Sequence, residues 1–74
     1  MQTFNEQIGD WIKFNRTRLV VSAAELPLYC RGPSTKVQLV EGIESGRLGL
    51  LDWELLPIIR VFIRRAKERL ALKR

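Results

Sequence analysis

The chain contains no histidine, which removes the side chain that changes charge nearest neutral pH and the commonest zinc ligand. Cys30 is its single cysteine, so neither an intramolecular disulfide nor a multi-cysteine metal cage can form. A papain-like nucleophile would need a base beside the thiol, and none is offered. Cys30 therefore reads as a small buried hydrophobe, and no enzyme activity, metal or cofactor is expected. Long apolar runs are also missing: the most apolar stretch, residues 55–63, is interrupted by Pro57 and Arg60 and falls well short of the roughly 20 residues of a membrane span. The first residues, Met1-Gln2-Thr3-Phe4-Asn5-Glu6, lack the basic-then-apolar order of a signal peptide. A cytoplasmic location without a membrane span is the expectation.

What is present suits one small helical domain, residues 1–74. A chain of this length buries only about 60% of the surface its unfolded form exposes, so its core must be small. Hydrophobic residues make up 46% of it and charged residues 28%, ordinary values for a folded chain and too apolar for disorder. Thr3 with Glu6 three residues on forms a capping box. Phe4, Ile8, Trp11 and Ile12 follow at helical spacing and predict a helix over 4–15, weakened by about 1 kcal/mol at Gly9 relative to alanine. Residues 19–21 are a β-branched connector, or one side of a very short β-ribbon whose partner would be 47–51. Ser22-Ala23-Ala24-Glu25 is a second capping box; it opens a short helix with Leu26, Tyr29 and Cys30 inward, cut short by Pro27.

After a break at 31–34, Ser34 caps a third helix whose pattern runs through Val37 and Val40 to Ile43 or Glu44, with Leu39 to one side. Asp52 caps the longest helix, over about 53–72, in which Leu56, Ile59, Ile63, Ala66 and Leu70 recur in steps of three and four. That stripe is expected to bury Leu56, Ile59, Ile63 and Leu70 against Phe4, Ile8, Trp11 and Ile12. The fold class is all-α: three to four helices with a long basic C-terminal helix, with or without the ribbon.

Charge is distributed unevenly. Residues 60–74 carry seven cations against Glu68 alone, a net +6, whereas the other 59 residues carry six cations and seven acids. Cations favour a helix C-terminus through its dipole, but seven in fifteen exceeds what a dipole requires. Nucleic acid uses such a surface best, because each neutralised phosphate releases counterions, and five of the seven are arginines able to fork onto phosphate. Arg60, Arg64, Arg65, Lys67 and Arg69 are the phosphate-contact candidates.

Residues 22–45, read as helix, turn and helix, resemble the helix-turn-helix of small phage repressors through Ala24-Glu25-Leu26, the turn at 31–34, and Val37, Val40 and Glu41. The resemblance implies a transcription regulator in which Thr35, Lys36 and Gln38 read bases. Pro27, where such folds usually hold alanine, and the second proline in the turn depart from the pattern. The arginine-crowded last helix is also similar in type to small phage modulators that contact RNA polymerase and nascent RNA. DNA and RNA therefore both stand as partners, and so does RNA polymerase or another transcription protein, with Trp11, Phe14 or Trp53 as anchors. A homodimer would suit two operator half-sites. An interfacial membrane helix over 53–72 is a third reading.

Overall fold

A computed structural model describes residues 1–29 and 32–72. Within them the chain forms helix α1 (Phe4–Leu19), a 3-10 turn (Ala23–Glu25), helix α2 (Lys36–Glu44) and helix α3 (Asp52–Leu72), an all-α domain. The cysteine expected to be buried lies outside the described residues.

The first capping box forms as its chemistry demands. Thr3 Oγ1 accepts from the Glu6 amide at 3.1 Å and Glu6 Oε1 accepts from the Thr3 amide at 3.0 Å, satisfying two amides that have no helical acceptor. Beyond it α1 runs past residue 15 to Leu19, which is buried. It stops where Val20 turns left-handed, at φ 55°, and the Val21 amide closes the end on the Arg16 carbonyl at 2.9 Å. That ending removes the ribbon. Leu19 is helical and Val20 is a left-handed cap, while the 47–51 stretch is irregular, with the Leu48 amide folded back on the Gly42 carbonyl at 3.0 Å.

Pro27 decides the middle of the chain. The residue before a proline is driven into extended backbone, and Leu26 takes φ −74° and ψ 135°, so the segment opened by Ser22 and Glu25 ends after one 3-10 turn. Leu26 and Leu28 then alternate inward, and Tyr29 points out, correcting its expected place on a buried helical face. A single 3-10 turn before one nine-residue helix is not the pair of helices that the helix-turn-helix reading needs. α2 is capped by Thr35 instead of Ser34: Thr35 Oγ1 accepts from the Gln38 amide at 3.2 Å, and Gln38 Oε1 accepts from the Thr35 amide at 2.9 Å. Its inward residues are Leu39, Val40 and Ile43, and Val37 is exposed.

α1 packs against both other helices. On one side Gly9 and Arg16 meet α2, where the Arg16 guanidinium holds Glu44 through two 3.0 Å bonds. On the other, Trp11 meets Phe62 of α3 edge to face, with ring centroids 5.5 Å apart. Phe4 and Ile8 share a hollow with Leu51 and Leu55, and Arg65 reaches the Leu19 carbonyl. The two helices therefore run in the same direction. The core is Ile12, Leu19, Val21, Leu26, Leu28, Leu39, Val40, Ile43, Ile58 and Phe62.

The inward face of α3 is not the expected one. Glu54, Ile58 and Phe62 are buried, whereas Leu56, Ile63 and Leu70 are 54%, 49% and 62% exposed, as is Phe4 on α1. The helix is turned by about 100°, one residue, from the stripe its apolar spacing suggests. Polar anchors at both ends account for this. Asp52 is the first helical residue rather than the cap, and Glu54 Oε1 reaches back to the Leu51 amide at 2.7 Å. Eleven residues on, Arg65 donates to the carbonyls of Leu19 and Val20 at 3.3 and 2.6 Å. Positions 54, 58, 62 and 65 share one stripe, so seating both anchors buries Ile58 and Phe62.

Candidate nucleic-acid interface

The rotation of α3 determines where its cations stand. Measured from Ile58 at the centre of the inward face, Arg64, Arg60 and Lys67 lie about 120°, 160° and 180° around the helix. All three are exposed and none meets an acid among the described residues. Arg60 and Lys67 are seven residues apart, so the strip extends about 10 Å along the axis.

Arg65 stands apart from this group. Besides the two carbonyls at the end of α1, its guanidinium pairs with Glu25 and, at 3.5 Å, with Glu68. It fastens α3 to the C-terminal end of α1, where the helix dipole and unpaired carbonyls favour a cation. The Glu25 carboxylate that receives it is held below the usual carboxylate range, chiefly by the Ser22 amide, with the charge of Arg65 helping against the larger opposing effect of desolvation. Three of the five candidate cations of α3, Arg60, Arg64 and Lys67, thus face outward.

Arg69 is exposed and lines a surface hollow with Arg18, Leu19, Ala66 and Leu70. Arg18 is the cation the sequence reading passed over. It lies four residues from Phe14 on α1, with its guanidinium carbon 5.8 Å from the Phe14 ring centre; that i,i+4 spacing was the available signal.

The candidate base readers are not gathered with these cations. Thr35 and Gln38 close the α2 capping box with their side chains, and Lys36 Nζ donates to the Ala24 carbonyl at 2.9 Å. All three belong to α2, which packs on α1 rather than on α3. The aromatic candidates are dispersed as well. Trp11 is committed to Phe62, Phe14 is exposed beneath Arg18, and Trp53 is exposed in the first turn of α3.

No group of three or more acids or cysteines suited to a metal occurs among the described residues, and no described helix is long and apolar enough to cross a membrane. The chain matches none of the family models, curated proteins or solved structures with which it was compared.

Proposed function

We propose that this protein is a nucleic-acid-binding regulator whose contact surface is the outward strip of α3, with Arg60, Arg64 and Lys67 on phosphates and Arg69 with Arg18 forming a separate basic patch on the α1 side. The observation that carries this reading is the contrast in how arginines are used. Arg16 and Arg65 are bonded into the fold, whereas the strip is exposed and meets no acid among the described residues. Cations gathered on one helical face repel one another, a cost that binding a polyanion reverses. With Thr35, Lys36 and Gln38 hydrogen-bonded within the chain and set apart from α3, the strip offers phosphate contact in place of base reading, so binding is expected to be weakly dependent on sequence.

The test is a salt titration of binding to a labelled duplex DNA and a labelled RNA hairpin, each in two unrelated sequences. The triple variant Arg60→Gln, Arg64→Gln, Lys67→Gln should weaken all four complexes alike and lower the log-log salt slope by roughly 2 to 3, at about 0.7–0.9 per phosphate contact. Unchanged affinity in a folded variant would refute the assignment.

A further inference from the structure

The rotation that turns the cations outward also leaves an apolar seam on the surface. Leu56, Ile59, Ile63, Ala66 and Leu70 follow steps of three and four, the spacing of a two-helix seam, and none of them is fully buried. The seam alternates in relief. Leu56, Ile63 and Leu70 stand out, while Ile59 and Ala66 are half-buried, Ala66 resting on the core. Projecting rows separated by recessed ones can both insert knobs and receive them. An insertion into lipid would gain from the projections alone.

Charge identifies the occupant. Arg60 and Lys67 directly follow the two recessed residues and flank the seam on its outward side. On the α1 side, Arg18 and Arg69 line the hollow that contains Ala66 and Leu70. The acid within this part of α3 is Glu68, which is turned to Arg65. A second copy laid on the seam would therefore set cations against cations in either direction. We propose that the seam binds an amphipathic helix of a partner protein whose apolar face is bordered on both sides by glutamate or aspartate. The apolar seam is centred roughly 90° around α3 from the phosphate strip, and Arg60 and Lys67 form the border between the two. A nucleic acid and an acidic partner helix would therefore compete for Arg60 and Lys67.

The probe is a synthetic helical peptide of about three heptads with Leu and Ile at the seam spacing and Glu on both flanks. A counterpart with Lys flanks and vesicles containing anionic phosphatidylglycerol serve as comparisons. The Glu-flanked peptide should bind in a salt-sensitive manner, and the Lys-flanked one at least about tenfold more weakly. The double change Ile63→Ser, Leu70→Ser should weaken Glu-peptide binding by about tenfold or more, while the protein stays folded by circular dichroism because neither side chain belongs to the buried core. Equal binding of the two peptides, or full binding by the double variant, would overturn the proposal. So would vesicle binding without peptide binding, or self-association abolished by the double change. The two readings separate cleanly: loss of the peptide with nucleic-acid affinity intact supports the seam, and so does seam-dependent peptide binding by a protein that binds no nucleic acid.

Discussion

Gly9→Ala is the substitution for which the sequence and the structure demand opposite results. Helix propensity favours alanine at an interior helical position by about 1 kcal/mol, so on composition alone the change should stabilise α1. The packing forbids it. A methyl group at Gly9 would sit 2.3 Å from the Ile43 carbonyl oxygen and 2.7 Å from that of Glu44, about 1 Å closer than carbon and oxygen normally approach. The obstacle is backbone, so no rotamer change relieves it and α1 must move off α2. A gap of that size forfeits a quarter to a half of the dispersion attraction across it. That gap would open between Ile12 on one side and Val40 and Ile43 on the other, all fully buried, and would stretch the Arg16–Glu44 pair. Overpacking of this kind costs about 3 kcal/mol at its upper range, which leaves a net loss of about 2 kcal/mol after the helical gain. For a domain of this size the melting temperature should fall by roughly 8–16 °C. Thermal and urea denaturation followed by circular dichroism measure it, with Gln7→Ala, an exposed neighbour on α1, as the control expected to stay within about 0.5 kcal/mol. A melting temperature for Gly9→Ala equal to or above that of the parent would refute the close α1–α2 contact.

The register of α3 is checked by a pair of truncations. Ile58→Ala should cost about 2–5 kcal/mol and Ile63→Ala under about 1 kcal/mol, and the reverse order in urea denaturation would restore the stripe that apolar spacing suggests. At the start of α2, Thr35→Ala should cost about 1 kcal/mol and remove amide-exchange protection from Gln38, while Ser34→Ala should be nearly neutral; equal losses would place the cap elsewhere. Glu25 gives a pH signature. Its carboxyl is held below the usual range in the fold, so its contribution is present above the unfolded pKa of about 4.3 and is lost as pH falls through the lowered folded value. Glu25→Gln should flatten the acid limb of the stability curve below about pH 4.3, and an unchanged limb would remove the Ser22 and Arg65 interactions from the account.

Local chemistry was legible in the sequence at two of the three short motifs that carry their own partner; at the third, Thr35 with Gln38, the cap was assigned one residue early, to Ser34. Thr3 with Glu6, and Ser22 with Glu25, sit where the capping boxes required, because both halves of each bond lie within one turn. The helical fold class and the long last helix followed from spacing in the same way. What could not be read was anything set by contacts distant along the chain. Phe4 and Trp11 lie on the stripe that led α1 to be read as burying them, yet Phe4 is exposed because the face that meets α2 is chosen by Gly9 and Arg16. Gly9 looked like a weakness and is a close approach. The candidate site divides along the same line: its cations were visible as composition, but Arg65 could be separated from Arg60 and Arg64 only by the carbonyls and the carboxylate it meets across the fold.

α3 carries more apolar surface than this domain can cover. Its inward face buries Ile58 and Phe62, with Val61 and Ala66 packed against the core, while Trp53, Leu56, Ile63 and Leu70 face outward. A helix serving one small core needs a single apolar stripe and a polar remainder. A second stripe at regular spacing is solvent-exposed hydrophobic surface that invites association. The cations narrow what can associate. Arg60 and Lys67 stand beside the seam and Arg18 with Arg69 across it, so self-pairing is opposed by like charge on both borders, and an uncharged apolar partner would leave those cations desolvated without compensation. The amount of apolar surface on α3 calls for a partner, and the sign of its borders requires that partner to be acidic.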